Sequence, residues 1–309
     1  SLNGNSAPTP ESATKMVTEQ KAAGYDFLKI HPGLTRETFD AMAATAERAG
    51  IKVAGHVPLA VGLLRALEAR YASIDHLDGY VEAMVREGAP VTAAQSEFFG
   101  VNLGEHLDTS RIPDLVEATR KAGVWNVPTQ SLMENLAPGE SAEALGRRTE
   151  MRYVSAKTRA QWAQEKNSIL EETGSSPESA QRTMEARRKL IKALHAGGAG
   201  LLLGSDAPQI YNVPGFSIHR ELELLVAAGL TPYQALETGT RNVAVFFGTL
   251  SQRGTIETGK RADLVLLDAN PLTDVRNTTR RAGVMLGGRW LPKETINARL
   301  NTIAKSVAN

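Results

Sequence analysis

Leu201-Leu-Leu-Gly-Ser-Asp-Ala-Pro208 decides how this chain is read. An apolar run climbs to Gly204, delivers one carboxylate at Asp206, and is stopped by Pro208. A short apolar run bounded by Gly and Pro reads as a buried strand. Three earlier segments share the form: Tyr25-Asp-Phe-Leu-Lys-Ile30, Ile51-Lys-Val-Ala-Gly-His56 and Ala72-Ser-Ile-Asp-His76. A lone Asp after a strand is more often a turn cap than a catalytic group, and it is the recurrence that lifts Asp206 above that explanation. The four runs deliver Lys29, His56, His76 and Asp206 to strand ends, where catalytic groups gather in parallel α/β barrels.

Helical segments fill the intervals. Thr9-Pro10-Glu11 has the chemistry of an N-cap, a first-turn proline and an acidic first turn, and predicts a helix to Ala23. Further helices are predicted from Thr35 to Gly50, over Val61–Ala69, Gly79–Glu87 and Ile112–Ala122, and then in an excursion of two helices, Glu134–Thr173 and Glu178–Ala196, parted by Gly174-Ser-Ser-Pro177. Thr231-Pro-Tyr-Gln234 reads as a capping box. Gly123–Thr129 reads as a fourth strand and Gly200–Ser205 as a fifth. Strands alternating with helices argue for βαβ units and a parallel sheet, but five strands are too few for an eight-stranded barrel. After Leu250 the character changes: Ala262–Asp268 and Gly283–Trp290 read as strands of a small β appendage closed by a helix over Glu294–Ala304. The expected division is a barrel portion over residues 1–250 and a β-sandwich remnant over 251–309.

Composition narrows the chemistry. A net charge of +1 supplies no bulk attraction to nucleic acid or an anionic membrane, and no apolar run approaches the ~20 residues that span a bilayer. Arg147-Arg148 and Arg187-Arg188-Lys189 read as solvated helix faces. With no cysteine, a metal would have to use His, carboxylate or a modified Lys. No signal peptide is visible, but the chain starts at Ser1 without a Met, so the compartment stays open, cytoplasmic only by default.

Lys29 is the odd residue, flanked by Leu28 and Ile30 in a run that reads as buried. A lysine there is costly unless paired, snorkelling or chemically altered. Reaction with carbon dioxide would turn it into an anionic carbamate able to bridge two cations.

The order and spacing of Lys29, Gly55-His56-Val57, Ile74-Asp-His76 and Gly204-Ser-Asp206 resemble the amidohydrolase superfamily, closest to its imidazolonepropionase-like and prolidase-like metal-dependent hydrolases. Thr255–Asp268, Asn270-Pro-Leu272, Gly287–Trp290, His219-Arg-Glu-Leu222 and Gly229-Leu-Thr-Pro232 are similar to segments of the same proteins. The resemblance implies a (β/α) TIM-like barrel with a small β-sandwich. It implies a carboxylated Lys29 bridging two divalent ions, zinc by default, with His56 and His76 on the second ion. Asp206 would bind the first ion and act as the base, taking a proton from the attacking water and passing it to a leaving nitrogen. His219 and Tyr211 are candidate substrate contacts, each with an equally good packing explanation.

One departure matters. The superfamily opens its barrel with a His-x-His strand, and no such pair occurs among the six histidines here, at 31, 56, 76, 106, 195 and 219. By resemblance, the chain therefore corresponds to the C-terminal portion of a longer enzyme, holding the equivalents of barrel strands 4 to 8. Three functions stay open: hydrolysis of a C–N bond in a small amide, cyclic amide or dipeptide; a catalytically silent fragment or assembly module; and hydrolysis of a lactone or phosphoester by the same metal chemistry. An open sheet would expose an edge and apolar side chains, which predicts a homo-oligomer.

Overall fold

The computed structural model describes residues 6–308. Helix α1 (Pro10–Ala22) starts at the Thr9–Ser12 capping box and leads into strand β1 (Phe27–Ile30). Helix α2 (Arg36–Ala49), capped by Thr35 and closed by left-handed Gly50, returns the chain to β2 (Lys52–Gly55). Helix α3 (Leu63–Glu68), β3 (Ser73–Asp75), the single turn α4 (Tyr80–Ala83), α5 (Ile112–Ala122) and β4 (Trp125–Val127) follow. Between α4 and α5 the chain makes 3-10 turns, with Phe98, Phe99 and Gly100 all at positive φ.

The helix expected over Glu134–Thr173 is more broken, into α6 (Gln130–Leu136), α7 (Ala142–Gly146), a 3-10 turn and α8 (Ala156–Thr173), and after the expected break comes α9 (Pro177–Ala196). Pro138-Gly139 and the capping serines Ser141 and Ser155 supply the breaks. Then come α10 (Ser217–Ala227), α11 (Pro232–Thr238), α12 (Arg241–Phe246), β5 (Leu264–Leu267), β6 (Arg281–Leu286), β7 (Arg289–Pro292) and α13 (Lys293–Ala308). The run read as one strand over Gly283–Trp290 is a hairpin, because Gly287 and Gly288 adopt the positive φ of a tight turn. Among the described residues, no helix is long and apolar enough to cross a membrane.

The chain divides into two compact units. The first comprises the residues up to Val127 together with Glu178–Leu201. Its sheet is parallel in the order β1-β2-β3-β4, with Leu28 facing Val53, Gly55 facing Ile74, and Ile74 facing Asn126. This is the mixed α/β, parallel-sheet architecture of a (β/α) barrel portion. Tyr71, Ile74, Leu77, Tyr80, Leu103 and Leu190 are each at most 1% exposed and form its core. The fifth predicted strand shrinks to a single parallel bridge between Leu201 and Asn126. The ladder stops there because the Leu203 N–H is taken by the carbonyl of Thr238, 3.0 Å away in the second unit.

The second unit comprises Pro128–Pro177 and the chain from Leu202 onward. It contains α6, α7, α8, α10 to α13 and an antiparallel sheet in the order β5-β6-β7. This is the small C-terminal sheet expected after residue 250.

Candidate active site

In the first unit, two candidate ligands meet at neighbouring strand ends. His56 follows β2 and His76 follows β3, with ring centroids 4.7 Å apart. Gly55 lets β1 lie close against β2 just before His56: at φ 109°, a Cβ there would stand 2.6 Å from the carbonyl oxygen of Ile30. His76 itself has φ 60°, a conformation that a residue with a Cβ adopts at a cost and that concentrates at functional sites.

The two imidazoles are held differently. His56 Nδ1 lies 2.8 Å from Asp78 Oδ2, and the Val57 N–H donates to the same oxygen at 3.3 Å. A carboxylate can only accept, so Nδ1 carries the proton, which leaves Nε2 as the nitrogen a metal ion could take. This is the carboxylate–histidine arrangement that fixes a ligand's tautomer. His76 is 2% exposed. Burial, aided by the charges of His56, Arg187 and Lys29, pushes its pKa down to about 2, so the ring is neutral throughout the physiological range. Burial also raises the carboxyls of Asp78 and Glu82.

Arg187 on α9 was read from sequence as part of a solvated face, and the structure corrects that reading. The side chain is 1% exposed, and its Nη1 donates to the His76 carbonyl at 2.6 Å. The signal was present in the sequence. Ala180, Thr183, Met184, Leu190, Ile191 and Leu194 form the buried stripe of α9, and position 187 falls on it at helical spacing. His31 is also brought in, its ring 5.1 Å from that of His56. Phe99 packs edge-on to His76 at 5.3 Å. A cavity of about 280 Å³ opens beside this cluster, lined by His76, Asp78, Glu82, Phe98, Phe99 and Arg187 among others.

Lys29 is not buried. Along β1, Leu28 and Ile30 point inward while Lys29 points out, its side chain 58% exposed and its Nζ 3.2 Å from Asp75 Oδ2. It is an ion-paired amine. His106 faces Arg86 instead of the cluster.

The remaining candidates lie in the second unit. Asp206 has φ 54°, and Gln209 Nε2 donates to its Oδ2. Tyr211 is 2% exposed and packs 5.7 Å from Trp162. His219 is fully engaged: Thr278 donates its hydroxyl to the Val275 carbonyl, so its oxygen accepts from His219 Nδ1–H at 2.8 Å, while Arg281 Nη1 donates to Nε2 at 3.1 Å.

A divalent ion would find suitable donors in the first unit, because an imidazole whose Nδ1–H is held by a carboxylate and a buried imidazole beside it are what such an ion takes. The set is partial. Among the described residues, no group of three or more His, Asp or Glu side chains is gathered so that it could hold a metal ion.

The family model described as amidohydrolase family matches residues 15–291. Among solved structures, bottromycin amidohydrolase is 24% identical, with a TM-score of 0.65, and the match covers 96% of this chain and 62% of that one. A Xaa-Pro dipeptidase with methionine bound in its active site is 17% identical, TM-score 0.57, covering 94% and 63%. The ochratoxinase of A. niger is 18% identical, TM-score 0.59, covering 93% and 55%. The chain thus spans less than two thirds of the length of these structures, and at such identities the likeness is one of fold. No curated protein matches the chain.

Proposed function

The chain belongs to the amidohydrolase family, and on that premise we propose that it carries part of the active site of a metal-dependent hydrolase that cleaves a C–N bond in a small amide, cyclic amide or dipeptide. The observation that carries the reading is the pair His56–His76. Two imidazoles stand 4.7 Å apart at adjacent strand ends, one with its tautomer set by Asp78 and the other kept neutral by burial.

His56 Nε2 and the His76 ring would hold a divalent ion, zinc being the default for imidazole and carboxylate donors. When bound, such an ion supplies Lewis-acid polarisation of a carbonyl and lowers the pKa of a water. Asp78 keeps the His56 lone pair aimed, and Arg187 holds the backbone at His76. Lys29, exposed beside Asp75, is open to carbon dioxide and would become an anionic ligand as its carbamate. Asp206 would be a further metal ligand and the base, taking the proton of the attacking water and delivering it to the leaving nitrogen. The substrate is a small molecule, and the 280 Å³ cavity with Phe98 and Phe99 is where its apolar part would sit.

A second reading, a catalytically silent module of a longer enzyme, is favoured by the absence among the described residues of a three-residue metal group. Elemental analysis after dialysis against metal-free buffer separates the two. One or more equivalents of divalent metal, lost in His56→Ala and His76→Ala, is expected on the first reading, and a metal-free parent chain removes it. Dipeptide, lactone and phosphotriester substrates offered to the metal-loaded chain then test the bond type.

A further inference from the structure

Two of the left-handed residues after Gly204 share a device that the sequence does not announce. Asp206 and Tyr211 have φ of 54° and 64°, and neither is glycine. Such a conformation persists only where its surroundings over-determine it. Rotation about φ is set by the peptide on the N-terminal side of the residue, and in both cases the carbonyl of that peptide is held by a buried asparagine amide. Asn212 Nδ2 donates to the Ser205 carbonyl, and Asn135 Nδ2 donates to the Ile210 carbonyl at 3.0 Å. The two amides are joined, since Asn135 Nδ2 also reaches Asn212 Oδ1 at 3.0 Å. Both side chains are about 1% exposed. Arg148 Nη1 donates to Asn135 Oδ1 at 2.9 Å, which fixes the orientation of the pair.

The far end of the Asp206 side chain is fixed as well, by Gln209 Nε2 on Oδ2. With its leading peptide held by Asn212 and its carboxylate held by Gln209, Asp206 has little freedom left. Asn135 rides on α6, whose ends are tied down by buried charges. Glu221 accepts from the Gln130 and Ser131 N–H groups at 2.8 and 2.7 Å, and Lys166 Nζ donates to the Asn135 and Ala137 carbonyls.

We propose that Asn212, braced by Asn135, is a positioning residue for Asp206, holding the Ser205–Asp206 peptide so that the carboxylate is presented in its left-handed conformation. The proposal deepens the hydrolase reading and rests on it for the use made of Asp206. A merely structural amide would satisfy a carbonyl and stabilise the unit; a positioning amide also sets what the neighbouring carboxylate can bind.

The test compares the parent chain with Asn212→Ala and, should that variant fail to fold, with Asn212→Asp, which keeps the acceptor for Asn135 and loses the donor for Ser205. Crystal structures give the Asp206 φ, and isothermal titration with zinc gives affinity. The expected result is an Asp206 φ outside the left-handed region and zinc binding weakened by about tenfold or more, the usual scale for residues that orient a ligand, in a chain still folded by circular dichroism. An Asp206 that stays left-handed overturns the proposal, and so does unchanged zinc affinity beside an altered φ. If the parent chain binds no zinc, the hydrolase reading fails, and the Asp206 φ alone decides whether Asn212 holds it.

Discussion

His219 shows how much a single side chain's environment decides. Burial, reinforced by the Arg281 charge, pushes its pKa down to about 4. In the unfolded chain the ring titrates near ~6.5. Between those values the unfolded chain binds more protons than the folded one, so the contribution to stability is complete above ~6.5 and is lost as pH falls through 4. The melting temperature should fall over that window more steeply for the parent than for His219→Gln, which offers a donor and an acceptor but does not titrate. Parallel curves in differential scanning calorimetry would mean that the ring is already protonated in the folded state. The same residue shows the limit of sequence reading. A histidine in His-Arg-Glu-Leu looks like a substrate contact, but its partners Thr278 and Arg281 are about sixty positions away and nothing local marks them. His56 and His76 were legible because each follows an apolar run of fixed form, and Asp78 was missed because a carboxylate two residues past a histidine has no pattern of its own.

At the scale of elements, α6 is the instructive case. Seven residues are too few for a helix to stand on propensity alone. Its start follows Thr129, itself left-handed at φ 47° and offering no side-chain cap. The missing cap is supplied from α10 by the wholly buried Glu221, and the last turn is closed from α8 by Lys166, 1% exposed. Negative charge at the N-terminus and positive at the C-terminus is the arrangement that the helix dipole favours. Glu221→Gln keeps one acceptor and strands one N–H, and Lys166→Met strands the Asn135 carbonyl, that of Ala137 keeping the Gly139 N–H. Each should destabilise by about 1–3 kcal/mol, the usual cost of a buried group left unpaired. Urea unfolding of the second unit, followed by Trp162 fluorescence, reads both; a change below ~0.5 kcal/mol in either would mean that water replaces the lost partner. The helix ends of α1, α2 and α5, and the start of α11, were legible to within a residue or two because caps, prolines and glycines write them locally. The break-up of the excursion before α8, and the loss of the strand at Gly200–Ser205, were not, because distant bonds such as Leu203 to Thr238 decide them.

For the molecule as a whole, the second unit's antiparallel sheet raises the question of what covers it. β5 pairs only with β6, leaving its other edge unpaired by any strand among the described residues. Its sequence, Leu-Val-Leu-Leu, is the continuous apolar run of a strand covered on both faces. Yet Val265 and Leu266, on opposite faces, are 55% and 56% exposed. Beside it opens a cavity of about 1120 Å³ lined mostly by apolar side chains, among them Leu264, Val284, Met285 and Trp290. An unpaired apolar edge next to an apolar hollow is a template for strand addition, and a second copy of the chain carries the same edge. The chain is therefore expected to self-associate through β5, sedimenting as a dimer or larger species at micromolar concentration. Leu266→Lys places a charge on the edge without touching β6 pairing, and should return the chain to its 33.2 kDa monomer. A parent chain that sediments as a single monomeric species across a hundredfold concentration range would show that the edge is covered from within. Association that persists in Leu266→Lys would move the interface elsewhere, with the outer edge of β1 the next surface to charge.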